Sequence, residues 1–235
     1  MQRKVFTRRD LPRRMVRIAP SILSADFARL GDEVRAAETG GADLLHIDVM
    51  DGTFVPNLTL GPAIVEKIRG ITKLPFDVHL MVQHPERFVE AFADAGADYL
   101  TVHVEADHEL AATVALIRDL GKKPGVVVSP PTPLSRVRQV LPQVEMLLVM
   151  TVNPGFAGQR FMAEVVPKVR EARDLLDKAK LPVLLEVDGG IGEKTAKLVA
   201  AAGADVLVAG SAVFAGDGKV KERIAALRQA AGGQA

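Results

Sequence analysis

LLHIDVMDGTFVPNLTLGP, residues 44–62, decides how the rest of the chain is read. Leu44 to Met50 is apolar enough for a buried strand, and side chains alternate between the two faces of a strand. Leu45, Ile47 and Val49 therefore share one face, and His46, Asp48 and Met50 share the other. One side can pack against helices, while the other gathers an imidazole, a carboxylate and a thioether into a common space. An ionised Asp removed from water is costly unless a partner compensates its charge. A surface strand with a polar face is the plainer alternative, and the core-like Val49 and its neighbours argue against it.

Outward from this strand, short apolar runs alternate with amphipathic helical patterns. Strands are expected at 17–22, 43–49, 76–80, 99–104, 123–128, 146–150, 183–187 and 206–209. Phe27, Leu30, Val34 and Ala37 line one helical face; Met162, Val165, Val169 and Leu176 line another in the longest helix. A junction recurs three times: GGADLL from 40, AGADYL from 95 and AGADVL from 202. In each, glycine closes a helix and Ala-Asp leads into the next strand. This is either a repeated βα unit or repeated use of a good αβ turn.

Eight strands, each followed by a helix or helix-like segment, in about 210 residues fit a single-domain α/β fold, the (β/α)8 TIM barrel, better than a doubly wound open sheet. An open sheet concentrates ligand residues near one switch point. Here polar residues stand at the C-terminal ends of strands all round the chain: Ser21, Asp48, His79, His103, Ser129, Asn153, Asp188 and Ser211.

Composition narrows the function classes. Among 235 residues, 30 Lys and Arg against 29 Asp and Glu give a net charge of +1, so no strong field for nucleic acid or an acidic membrane is expected. The chain has no Cys, which removes disulfides, thiolate metal sites and Cys nucleophiles and suits a reducing, cytoplasmic setting. No apolar run approaches the roughly 20 residues of a membrane span. Residues 1–15 are rich in Lys and Arg, with Asp10 the single acid. They read as a disordered basic extension ahead of a barrel over 16–232, rather than as a transit segment or nucleic-acid arm.

His46 and Asp48, two apart on one face, have Cα atoms about 6.5 Å from each other and can lean onto one ion. FDVHLMV repeats the device with His79 and Met81, and LLEVDGG puts Asp188 at another strand end. Two imidazoles and two carboxylates without a thiolate suit one divalent ion: Zn²⁺, Fe²⁺, Mn²⁺ or Co²⁺. Taken singly, each His reads more readily as an ordinary hydrogen-bonding residue; the joint placement carries the metal reading. His103 and Glu105 share a strand face and could orient such ligands, whereas His84 and His108 are expected in solvent at helix starts. NPGFAGQRF (153–161), VDGGIG (187–192) and AGSAVF (209–214) place glycines between strand and helix, where amides and helix dipoles attract anions. The loops after the last two strands of barrels often hold phosphate. No dinucleotide or P-loop fingerprint is present, and no GxSxG setting activates a serine.

With those residues in view, the chain resembles the ribulose-phosphate 3-epimerase family of the pentose phosphate pathway and Calvin cycle. The resemblance runs from Ile18 to about Phe214, through IAPSILSADF, HIDVMDGTFVPNLTLGP, FDVHLMV, VHVEA, MTVNPGFAGQRF, VDGGI and ADVLVAGSAVF. It implies His46, Asp48, His79 and Asp188 as metal ligands, with Asp48 and Asp188 also the acid/base pair. It implies a substrate-binding Ser21, with His79 and Asp188 also facing substrate. The sugar phosphate would be held by Gly155, Phe156, Ala157 and Gly158, by Gly189 and Gly190, and by Gly210 and Ser211. Met50, Met81 and Met150 would line the reacting carbons. The implied reaction interconverts D-ribulose 5-phosphate and D-xylulose 5-phosphate at C3 through a metal-stabilised cis-enediolate. Ala157 stands where the family usually has glycine, and Ser129 and Gly192 where asparagines are common; none is a ligand or a carboxylate. A sister enzyme acting on allulose 6-phosphate and a metal-independent phosphate-binding barrel are the other readings. A homo-oligomer is expected from exposed apolar helix faces.

Overall fold

The structure is a computed structural model that describes residues 16–232, so the expected extension at 1–15 lies outside the described residues. Eight parallel strands form one sheet: β1 (Arg17–Pro20), β2 (Leu45–Met50), β3 (Phe76–Met81), β4 (Tyr99–His103), β5 (Lys123–Val128), β6 (Met146–Met150), β7 (Leu184–Asp188) and β8 (Val206–Ala209). Hydrogen bonding runs β1-β8-β7-β6-β5-β4-β3-β2, and a parallel bridge from Ser21 to His46 brings the two ends together. The ring is a single-domain (β/α)8 barrel, and the open-sheet alternative falls.

The helices are α1 (Leu30–Thr39), α2 (Pro62–Arg69), α3 (Val89–Asp94), α4 (Leu110–Asp119), α5 (Val166–Lys178), α6 (Glu193–Ala201) and α7 (Val220–Ala230). Leu45, Ile47 and Val49 pack in the large core between strands and helices, as the alternation requires. Inside the ring, Ala19, Leu44, Tyr99, Met146, Leu184, Val206 and Val208 form a separate apolar plug. That plug fills much of the barrel's lower part, with buried Arg17, Asp77 and Glu186 in register with it, and the polar strand ends lie above it.

Local chemistry moves some boundaries. β1 stops at Pro20 rather than residue 22 because the Ser21 hydroxyl accepts the Leu23 N–H (3.3 Å) and starts a 3-10 turn over Ile22–Ser24. Phe27 does not join the buried face of α1. It lies in a separate turn capped by Asp26 and is 48% exposed. Between β5 and β6 the chain makes two short turns, Leu134–Arg136 and Leu141–Gln143, in place of an α-helix. After β8, Gly210 to Phe214 form one turn, and α7 begins only at Val220.

The three Gly-Ala-Asp junctions share one construction. Asp43, Asp98 and Asp205 accept the backbone N–H of Ile18, Phe76 and Leu185 at 2.9, 2.8 and 3.0 Å. Each Asp returns its own N–H to the carbonyl of that same residue. Each also pairs with an arginine from a helix: Arg228, Arg69 and Arg173 respectively. The Asp thus locks the lower end of its strand to the neighbouring strand, and the arginine ties that strand pair to the helical layer. Arg69 also lies 3.5 Å over the Phe76 ring, where ring and guanidinium attract.

The glycines of these junctions are left-handed, Gly41 at φ +88° and Gly96 at φ +106°. A Cβ on Gly41 meets open space, whereas one on Gly96 lies 2.5 Å from Arg69 Cδ. Gly41→Ala should therefore cost only the backbone penalty of about 1–2 kcal/mol. Gly96→Ala should cost clearly more, because it also displaces the arginine that clamps Asp98. Urea unfolding of the two variants checks the order, and equal losses would contradict it.

Candidate active site

The β2–β3 register sets the site. It pairs His46 with Asp77, Asp48 with His79 and Met50 with Met81, all directed into the ring. Across the barrel, β6 and β7 pair Met150 with Asp188. Ligand atoms of His46, Asp48, His79 and Asp188 all lie within 4.8 Å of one another. Asp48 is central: its Oδ1 is 3.4 Å from His46 Nε2 and 3.2 Å from His79 Nδ1, and its Oδ2 accepts the Ser21 hydroxyl at 2.5 Å.

This set fits a divalent cation. His46 Nε2 is buried without a hydrogen-bond partner and is aimed at the cluster. Two imidazole nitrogens and two carboxylates from three strands offer borderline-to-hard donors in a compact group. The electrostatics agree. Burial raises the Asp188 carboxyl to about 6, and the Asp48 charge adds to the rise. Asp48 moves the other way: His46 and His79 overcome burial and hold it far below the usual carboxylate range. Burial works against a charged His46, yet the carboxylates of Asp48 and Asp77 outweigh it and raise the imidazole well above its usual value. A cation would replace the proton that this crowd of negative charge otherwise retains.

Around the four lies a shell that the sequence disclosed only in part. Asp77 Oδ2 is 2.7 Å from His46 Nδ1, and Glu186 Oε1 lies 3.8 Å from the same nitrogen. Burial, then the Asp77 charge, raises the Glu186 carboxyl well above its usual range. Neither residue was singled out, although 77 shares parity with His79 and 186 with Asp188. On the other side, His103 Nε2 is 2.9 Å from His79 Nε2, and its Nδ1 is 2.9 Å from Glu105 Oε2. Burial lowers His103 to about 4. Burial would raise Glu105, but the His103 contact and the Ser129 N–H outweigh it and hold the carboxyl at about 2. The expected neighbourhood of His103 and Glu105 to the site is thus found. His84 is half-exposed, as expected. His108 is half-buried, and both ring nitrogens are engaged: Nδ1 is 2.8 Å from Thr113 Oγ1, and Nε2 is 3.0 Å from the His103 carbonyl.

Above the cluster opens a cleft of about 540 Å³, counting space open to solvent. Asp48 and Asp188 reach its floor, and Met50, Met81 and Met150 line it. Ser21 and the three glycine loops (Gly155 to Gly158, Gly189–Gly190, Gly210–Ser211) form its walls. His46 and His79 lie beneath the floor, fully buried, and Ser129 and Asn153 stand away from it. Two walls depend on glycine. A Cβ on Gly189 would lie 2.6 Å from Val152 Cγ2, and one on Gly190 2.5 Å from the Phe161 backbone nitrogen; both have positive φ. The Thr151 hydroxyl donates to the Gly189 carbonyl at 2.7 Å, which turns the Gly190 N–H away from Thr151, since the two point oppositely in a trans peptide. The exposed 51–60 loop reaches across the mouth, where Asn57 Nδ2 donates to the Gly155 carbonyl at 2.8 Å.

Known proteins resemble this chain over most of its length. A "Ribulose-phosphate 3-epimerase" from Bacillus subtilis (strain 168) is 53% identical over 215 residues, covering 91% of this chain and 99% of the relative. Another, from Synechocystis, is 54% identical over 199 residues, covering 84% and 86%. Among solved structures, 3-hexulose-6-phosphate synthase from Salmonella typhimurium superposes with a TM-score of 0.67 at 20% identity, covering 92% and 98%. Thiamine phosphate pyrophosphorylase from Pyrococcus furiosus gives 0.63 at 16%, covering 94% and 97%. At such identities these two likenesses show the barrel alone. The profile of the Ribulose-phosphate 3 epimerase family matches residues 17–214, and the chain belongs to that family.

Proposed function

We propose that this epimerase interconverts D-ribulose 5-phosphate and D-xylulose 5-phosphate, with Asp48 and Asp188 moving the C3 proton. The observation that carries the reading is the convergence of two carboxylates from β2 and β7, with opposite protonation tendencies, on one cleft floor. Inversion at C3 requires a proton to leave one face of a planar intermediate and return to the other. One carboxylate cannot do both without turning the substrate over, whereas two groups facing each other can. Pairs of acids whose surroundings drive them apart in proton affinity take complementary roles. Here Asp48 is held as the ionised partner and Asp188 keeps a proton nearer neutrality.

Other residues serve this exchange. Ser21 donates to Asp48 Oδ2 and so fixes the rotamer from which Oδ1 faces the cluster. The three methionines give a polarizable floor without ionisable hydrogens, which keeps stray proton donors from the reacting carbons. Gly155 to Gly158, Gly189–Gly190 and Gly210–Ser211 would hold the phosphate, and a group anchored there places C3 over the carboxylates. His46, Asp48, His79 and Asp188 would hold one divalent ion, which when bound supplies Lewis-acid stabilisation of the charge that appears as the proton leaves. Zn²⁺, Fe²⁺, Mn²⁺ and Co²⁺ all suit the donors. Pathway membership, a cytoplasmic setting and a homo-oligomeric state belong to the same proposal; the cysteine-free composition and exposed Leu116 and Leu198 on helices support the last two.

Asp188→Asn, checked for folding and metal content, should lose about 10²- to 10⁴-fold in epimerisation. It should still exchange the C3 hydrogen of one epimer with solvent deuterium through Asp48. Retained epimerisation in a folded, loaded variant would sink the two-base scheme. Removing the ion with a chelator should abolish activity, and re-addition should restore it; untouched activity would favour a metal-independent barrel. Uptake of Zn²⁺ should weaken as pH falls from 7.5 to 5.5, because Asp188 (about 6) and the raised His46 must each give up a proton to bind it. Competition against a chromogenic chelator reads that slope, and a flat profile would contradict it.

A further inference from the structure

We propose that His103, anchored by Glu105, is the positioning residue that fixes which nitrogen His79 presents to the ion. The inference rests on the reading of His79 as a ligand and goes beyond it.

Two imidazole nitrogens 2.9 Å apart, His79 Nε2 and His103 Nε2, can share only one proton. Its owner follows from the far end of the chain of contacts. Glu105 Oε1 accepts the Ser129 N–H at 2.8 Å, and Oε2 faces His103 Nδ1 at 2.9 Å. An ionised carboxylate only accepts, so His103 Nδ1 carries hydrogen. His103 is fully buried against a second imidazole, and as a neutral ring it has a bare Nε2. That nitrogen must accept from His79 Nε2–H. A His79 that holds the ion is neutral and has its lone pair on Nδ1, 3.2 Å from Asp48 Oδ1 and directed into the four-residue cluster. Lone pair faces carboxylate there, an arrangement that a cation satisfies.

The other histidine obeys the same logic with its nitrogens exchanged. His46 Nδ1 faces Asp77 at 2.7 Å, leaving the unpartnered Nε2 for the cluster. Ligating histidines usually give their second N–H directly to a carboxylate or carbonyl. His46 does so, whereas His79 reaches its carboxylate through an intervening neutral ring. That ring is held in place: Phe54, from the loop over the mouth, packs on His103 with centroids 4.7 Å apart. His103 does not line the cleft, so it acts through His79 and not on substrate.

The test measures Zn²⁺ affinity and nitrogen protonation, not turnover alone. His103→Leu removes the acceptor and should lower Zn²⁺ affinity about 10- to 100-fold. His103→Gln, whose amide oxygen can accept the same N–H, should recover most of that loss. Thermal unfolding of the metal-free variants separates a folding defect from a binding one. In ¹⁵N-labelled, Zn²⁺-loaded protein, His79 should show hydrogen on Nε2 coupled to the His103 nitrogen, and a metal-shifted Nδ1. Undiminished Zn²⁺ affinity in folded His103→Leu, or ligation through Nε2 of His79, would overturn the proposal while leaving the metal site intact. A wild-type protein that takes up no Zn²⁺, Mn²⁺, Fe²⁺ or Co²⁺ would overturn the ligand reading itself, and the relay's role with it.

Discussion

The structure depends first on the parallel pairing of β2 with β3. A strand exposes alternate residues to alternate faces, so one register sets Asp48 beside His79 and His46 beside Asp77. A slip by a single residue would send these polar groups into the helix-facing core and bring Val49 and Leu80 into the mouth. The apolar outer faces of both strands oppose such a slip, because Leu45, Ile47, Val78 and Leu80 would all lose their helical cover. Asp98 adds a second restraint from below, holding the Phe76 N–H at the start of β3. The chemistry at the top of the barrel is thus aligned by packing and hydrogen bonds at its base and flanks.

Confining four acids and three imidazoles to so small a volume sets their properties more than any one neighbour does. Burial works against the charged forms of Asp48, Asp188 and Glu186, and position decides which escapes. Asp48, between two imidazoles and a serine, stays ionised; Asp188 and Glu186, nearer to other carboxylates, do not drop. A nearly neutral chain has no long-range field to draw in an anionic sugar phosphate. On the proposed reading, attraction comes at close range from the glycine loops. Their backbone crowding at Gly189 and Gly190 ties the wall's shape to the absence of side chains.

Much of this was legible in the sequence because period-two alternation is a local signal. It identified the inward trio of β2, the His79–Met81 pair and Asp188, and the spread of polar strand ends separated barrel from open sheet. What escaped was set by relations between strands. The reach from His79 to His103 runs diagonally across the stagger of β3 and β4, and stagger is not written in either strand alone. Asp77 and Glu186 had the right parity but sat lower in their strands, where an apolar plug was the natural expectation. Phe27 escaped for a different reason: a turn capped by Asp26 interrupts a helical pattern that hydrophobic spacing cannot distinguish from a continuous one. After β5 the proline-rich run at 130–133 leads only into short helix-like turns. The partners of His108, Thr113 and the His103 carbonyl, appear only once the loop is folded.

The seam between β1 and β2 differs from the other junctions in the ring. Elsewhere neighbours are joined by ladders of several residues; here one bridge, Ser21 to His46, and the Asp43–Ile18 pair carry the joint. Ser21 also grips the Asp48 carboxylate. Closing the circle and aiming that carboxylate are therefore one mechanical act, and a change at this edge alters both together.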